Sequence, residues 1–272
     1  MIAAPYNIAH GCYGQVKDVM FTEVGNDDYH ALPGVSSSNI RDIADDVDQY
    51  MRGPLPHEPS DAKLLGSAAH CFIIQPEWFD MEYVVYPGKV RRGKQWDEFV
   101  EEHTPDDPLD TSGKEIITTK MYERCVGMRD SLAANGYDWL WEDDKLVRES
   151  SVWAYEASSS ILCKIRPDVY DPELCAIVDL KTTSNPHWEG KGKYQKGFKY
   201  SVRKFGYYIQ DSFYTDILNT AGVRCDAFNF LCVQSNEPYD VVSHTLTSAW
   251  KNDGRREYIK QLGRLRTAVM NS

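Results

Sequence analysis

The chain of 272 residues is 42% hydrophobic and 12% aromatic, enough for a sizeable core, and it holds no run of about 18 apolar residues that would suggest a membrane span. Its formal net charge of −11, taken alone, disfavours a protein that simply coats nucleic acid. Seven cysteines form no CxxC or CxxxC pair, which argues against a structural zinc or an iron–sulfur cluster, and their odd number fits reduced thiols in a cytosol.

Residues 1–28 show no clear periodicity and read as an extension or a subunit-contact arm ahead of a single domain over 29–272. The opening Met1-Ile2-Ala3-Ala4-Pro5-Tyr6-Asn7 lacks the basic start and apolar stretch of a secretory signal. Ser36 to Asn39 supplies N-cap candidates for a helix from 40 to about 51, stopped by Gly53-Pro54. A second helix starts at Ser60 or Asp61, carries Leu64, Leu65, Ala68, Ala69, Phe72 and Ile73 on its apolar face, and ends before Pro76. Gly66 and His70 share one side of it. A lone helical histidine is more often a hydrogen-bonded core residue than a ligand, so the pattern leaves His70 open between the two. A strand is predicted over 82–86, and helices over 96 to about 102 and 118 to about 135.

The strand predictions that follow carry the chemistry. Residues 151–155, 161–165 and 175–180 read as a three-strand meander, with turn chemistry in Asp171-Pro172-Glu173-Leu174. The midpoint between Asp168 and Asp179 falls inside that turn, so an antiparallel pairing sets the two carboxylates nearly opposite. Side chains alternate along a strand, which places Asp179 and Lys181 on one face while Leu180 points into the core. Two or three carboxylates suffice for a magnesium ion, which supports phosphodiester hydrolysis by charge neutralisation and water activation. Lys181 would hold or help deprotonate the attacking water, with neighbouring cations and desolvation lowering its pKa. Reflection across the turn at 157–159 brings Glu149 towards the same place, as a third acid or as an ordinary exposed strand residue.

Lys191, Lys193, Lys196, Lys199, Arg203 and Lys204 fall in an acid-free stretch, and Arg91 and Arg92 lie in a second basic cluster, while acids concentrate over 42–48 and 96–110. An acidic exterior around a basic channel fits this distribution, as do solvated lysine-rich loops. A helix over 205–218 then presents Tyr207, Gln210, Tyr214 and Ile217 as one stripe. Buried glutamine demands partners, so this face is suited to hold a phosphate or sugar as well as a core. A strand over 227–233 and a helix over 247–269 complete an α/β order that predicts a central mixed sheet flanked by helices.

With these residues in place the chain resembles the PD-(D/E)xK nuclease superfamily, and more narrowly the RecE-type exonucleases of phages and prophages. The resemblance covers about 29–218 and rests on Tyr29-His30-Ala31, Ser36-Ser37-Ser38-Asn39-Ile40, Gly66-Ser67-Ala68-Ala69-His70, Arg91-Arg92-Gly93-Lys94-Gln95-Trp96, Arg166-Pro167-Asp168, Val178-Asp179-Leu180-Lys181-Thr182-Thr183, and Gly206-Tyr207-Tyr208-Ile209-Gln210 with Tyr214. It implies that His70, Glu149, Asp168 and Asp179 surround Mg²⁺ or Mn²⁺, with the Leu180 carbonyl as a further ligand and Lys181 in the catalytic role. Gln210, Tyr214, Tyr207, Arg166 and Thr182 would support the site, and the basic residues would hold DNA backbone. It also implies 5′ to 3′ digestion of duplex DNA from an end, leaving a 3′ strand for recombination through a RecT-like annealing protein, in ring-shaped homo-oligomers in the cytoplasm of a bacterial host. Two other readings stay open: a structure-specific or restriction-type endonuclease, and a catalytically silent DNA-end-binding module.

Overall fold

Residues 26–53, 60–88, 90–105, 113–190 and 196–271 are described by a computed structural model. After α1 (Asn26–Ala31), the helix predicted from 40 to 51 is two helices, α2 (Ser37–Asp45) and α3 (Val47–Arg52). Asp46 breaks it. Its backbone is extended (φ −156°), its N–H closes α2 on the Asp42 carbonyl, and its carboxylate accepts the Gln49 N–H of α3 at 2.9 Å. The next helix, α4 (Asp61–Ile74), is capped by Ser60, whose hydroxyl accepts the Lys63 N–H. Pro76 does more than end it: placed in the first turn, where its missing N–H costs nothing, it opens α5 (Pro76–Glu82), which the sequence reading omits.

Then come β1 (Tyr83–Tyr86), α6 (Lys94–His103), β2 (Glu115–Thr118), α7 (Thr119–Ala134) and α8 (Trp139–Glu142), with β1 and β2 paired in parallel. The expected meander is divided among β3 (Val147–Arg148), β4 (Val152–Tyr155), β5 (Leu162–Ile165), β6 (Val169–Asp171) and β7 (Ala176–Thr183). Strands β4 and β5 form their own two-stranded sheet, and the antiparallel partner of β7 is the short β6. Pro167 gives the reason: it has no N–H for a ladder, so the chain leaves one sheet before it and joins another after it. The β6–β7 register, Val169 opposite Val178, extends by one position to set Asp168 opposite Asp179. In the connecting turn Asp171 Oδ1 accepts the N–H groups of Glu173 and Leu174 at 2.8 and 2.9 Å.

Gly206, at φ 72°, separates α9 (Phe198–Lys204) from α10 (Tyr207–Thr220), so the helix expected from 205 begins two residues later. The last elements are β8 (Ala227–Gln234), β9 (Val241–His244) and α11 (Ser248–Met270). The main sheet runs β3-β6-β7-β8-β9, with β7 and β8 parallel and the other pairs antiparallel, and helices flank it.

Each sheet face carries its own core. Ile177, Phe228 and Phe230 pack with Phe213, Ile217 and Leu262 of α10 and α11, whereas Leu180, Leu231 and Val233 pack with Leu65 and Ile73 of α4 and Met128 and Leu132 of α7. Burying one such side chain contributes about 1.5–3 kcal/mol, so a one-residue slip of β7 would lose several at once. The register therefore holds Asp179 and Lys181 on the α10 side and Leu180 on the α4 side.

Helices α10 and α11 cross closely at Gly254, where a Cβ would come within 2.0 Å of the Tyr208 carbonyl oxygen. In this interface Asp211 is wholly buried, and its nearest cation is Lys251 at 3.4 Å. Burial pushes its pKa up to about 6, against the pull of Lys251. The folded state therefore favours the protonated carboxyl more than the unfolded chain does. Stability should fall as pH rises from about 4 to about 6 and stay reduced above. Asp211→Asn removes the buried charge, and Lys251 can turn to water. It is expected to stabilise the fold by about 1–2 kcal/mol at pH 8 and to flatten that dependence, read by urea unfolding at several pH values.

Candidate metal centre and catalytic face

The site assembles on β7 from three directions. From α4, His70 Nε2 lies 2.7 Å from the Leu180 carbonyl oxygen and 3.1 Å from Asp168 Oδ2, while its Nδ1 is 3.5 Å from Glu149 Oε1. Gly66, one turn earlier, lies over Thr182, and a Cβ there would sit in ordinary contact, 3.4 Å from its Oγ1. From β6, Asp168 Oδ2 accepts the Leu180 N–H at 2.6 Å, which clips the carboxylate to the strand. From the end of β3, Glu149 takes φ 46°, a left-handed conformation that costs a non-glycine residue on the order of 1 kcal/mol or more. Its N–H donates to the Asp168 carbonyl at 3.1 Å and its own carbonyl accepts Arg166 Nε at 2.9 Å. These bonds hold the kink.

Among the described residues, His70, Glu149 and Asp168 form a group whose ligand atoms all lie within 4.8 Å of one another. Their donor set suits a hard divalent cation: two carboxylates, one imidazole and, beside them, the Leu180 carbonyl. Asp179 is not one of the three. It is fully buried beside them, where Lys181 pairs with its Oδ1 and Gln210 Nε2 donates to its Oδ2 at 2.6 Å. The Lys181 ammonium also lies 4.9 Å from the centre of the Tyr207 ring.

Electrostatics couple Asp179 and Lys181 to the His70, Glu149 and Asp168 group. Burial and then the charge of Asp168 push the Asp179 pKa up to about 7, against Lys181. Burial also works against ionised Asp168, yet His70 and Lys181 with the Leu180 N–H hold it below the usual carboxylate range. Burial favours neutral His70, but Asp168 and Glu149 raise it well above the ordinary imidazole value. For Lys181 the expected lowering is reversed: burial lowers its pKa, but Asp179 and Asp168 together raise it further. The paired carboxylates favour the charged form of Lys181, which suits it to orient a water or a phosphate oxygen by donating to it.

The supporting residues divide. Tyr214 is buried, which raises its pKa. Arg166 turns inward, its Nε 3.0 Å from Glu149 Oε2 and its guanidinium 5.6 Å from the Tyr29 ring. Tyr29 was not among the site residues read from the sequence, and no periodicity marks it; only the Tyr29-His30-Ala31 motif does. Arg91 is engaged by Asp61 at 2.8 Å and lies 6.0 Å from the Trp96 ring, with Arg92 exposed next to it. Lys199 pairs with Glu189 at 2.9 Å. Lys196 and Arg203 sit beside Tyr200 and Trp250, at 4.3 and 4.5 Å from the ring centres. Lys191 and Lys193 lie outside the described residues.

Residues 39–272 match the family model of a PDDEXK-like domain of unknown function (DUF3799). Among solved structures, the chain is similar to a candidate exonuclease from Eubacterium rectale, with 16% identity, a TM-score of 0.59, and coverage of 91% of this chain and 88% of that one. That likeness shows the fold. A phage-related exonuclease from Haemophilus somnus 129PT aligns over 75% of this chain and 93% of its own, at 12% identity and a TM-score of 0.32. No curated protein sequence matches the chain.

Proposed function

The chain belongs to the PDDEXK-like family of unknown function (DUF3799), and from that premise we propose that it is a Mg²⁺- or Mn²⁺-dependent exonuclease acting on the ends of linear double-stranded DNA. The observation that carries the reading is the meeting of His70, Glu149, Asp168 and the Leu180 carbonyl on one side of β7, with Asp179 and Lys181 beside them. His70, Glu149 and Asp168 would hold the ion, with the Leu180 carbonyl and Asp179 completing the set. Such an ion neutralises phosphate charge and makes a water a better nucleophile. Lys181 donates a hydrogen bond to that water or to a phosphate oxygen, Gln210 fixes the Asp179 carboxylate, and Tyr207 shields the ammonium from solvent.

The choice of exonuclease, the 5′ to 3′ sense and the 3′ single-stranded product rest on the resemblance to RecE-type enzymes; the fold shared with the Eubacterium rectale protein is in keeping with it. A ring of copies around the duplex, a RecT-like annealing partner and a cytoplasmic site of action belong to the same proposal. Among the described residues no helix is long and apolar enough to cross a membrane. The test is linear duplex labelled at either the 5′ or the 3′ end, incubated with Mg²⁺ beside a covalently closed circle. Early release of the 5′ label with an intact circle is expected. Cutting of the circle would favour the endonuclease reading, and binding without release of either label would leave a silent end-binding module.

A further inference from the structure

The outer face of α9 is unlike the rest of this acidic chain. Phe198 and Val202 anchor the helix inward, wholly buried, while Tyr200 and Phe205 at its far side are 41% and 42% exposed. Cations are interleaved with these rings. Lys196 Nζ lies 4.3 Å from the Tyr200 ring centre and Lys204 Nζ 5.0 Å from that of Phe205, while Arg203 covers Trp250 at 4.5 Å. From α2, Arg41 reaches the Phe205 carbonyl at 3.3 Å. Among the described residues none of Lys196, Arg203 and Lys204 forms an ion pair with a carboxylate, although the chain as a whole carries −11.

The patch is continuous with the catalytic face. The Phe205 ring centre is 5.7 Å from that of Tyr207, and Tyr207 in turn lies against the Lys181 ammonium. An aromatic path thus runs from solvent to the residue beside Asp179. Alternating rings and free cations match a nucleic acid strand, in which flat bases alternate with phosphates. Stacking tolerates any base because each has a π-face. A duplex keeps its bases stacked on one another, so only an unpaired strand can use such rings. We infer that Tyr200 and Phe205 form a stacking platform for unpaired nucleotides of single-stranded DNA next to the metal centre, with Lys196, Arg203 and Lys204 holding their phosphates. The inference rests on the nuclease reading and adds a base-contacting subsite to it.

The full chain, with Ca²⁺ in place of Mg²⁺, is titrated into two fluorescent single-stranded oligonucleotides read by anisotropy, one of ordinary sequence and one with abasic residues at its terminal three positions. The wild-type protein should bind the ordinary strand about 5- to 30-fold more tightly. Phe205→Ala should bind both strands as the wild type binds the abasic one, Tyr200→Ala should lose part of the preference, and Phe205→Trp should restore it. Equal wild-type affinity for both strands overturns the inference, as does a preference that survives Phe205→Ala. If that surviving preference comes with altered sedimentation, the face is a contact between copies of the chain. A wild type that digests Mg²⁺-supplemented duplex but shows no base preference sinks this inference alone. One that neither binds nor digests DNA sinks the nuclease reading with it.

Discussion

Lys181→Ala is expected to lower Mg²⁺-dependent digestion of linear duplex by about 10²- to 10³-fold, the usual worth of a donor placed where charge develops, while sparing DNA binding. The ammonium is 17% exposed and pairs with a carboxylate that has no exposure at all, so it is built into the site and not a surface charge. Removing one partner of a buried ion pair usually damages the fold. Here the penalty is limited, because the Asp179 pKa already stands near 7 through burial and the neighbouring Asp168. Without Lys181 it rises further and the carboxyl takes a proton, while Gln210 still bonds its other oxygen. Thermal melting at pH 6.5 should therefore change little while turnover collapses. Unchanged digestion would remove Lys181 from the mechanism.

Asp168→Asn should abolish metal binding measured by Mn²⁺ titration calorimetry, and digestion with it. The asparagine oxygen can still accept the Leu180 N–H that Asp168 accepts at 2.6 Å, so the β6–β7 clip survives. The charge does not. Even loss of an outer partner of a metal ligand costs about 10- to 100-fold in affinity, and Asp168 stands within the ligand group itself, so a larger loss is expected. His70 should respond too, because Asp168 is the chief charge that raises its pKa against burial. In NMR titration its imidazole should lose its proton at lower pH than in the wild type. Wild-type affinity for Mn²⁺ in this variant would place the ion elsewhere.

Much of this arrangement is legible along the chain. The turn at 171–174 and the alternation in β7 place Asp168 opposite Asp179 and separate Asp179 and Lys181 from Leu180, because a hairpin register and a two-residue period are set by neighbouring residues. Capping by Ser60 and the periodic apolar face of α4 are local in the same way. Pro167 is a local signal of another kind, a residue with no N–H to give a ladder. It divides the expected meander into two sheets, yet the reflection that brings Glu149 to Asp168 survives, since β3 pairs with β6 on the register that β4 keeps with β5.

Local rules therefore settle the strand, the turn and the facing of the two aspartates and the lysine, all products of steric and hydrogen-bonding constraints acting over a few residues. Tertiary structure alone decided that His70 meets the Leu180 carbonyl across 110 positions, that Gln210 closes on Asp179, and that Arg166 and Arg91 spend their charges on Glu149 and Asp61. Those meetings depend on how α4 and α10 pack on opposite faces of one sheet. The packing is a property of two whole hydrophobic surfaces, and no spacing along the chain encodes it.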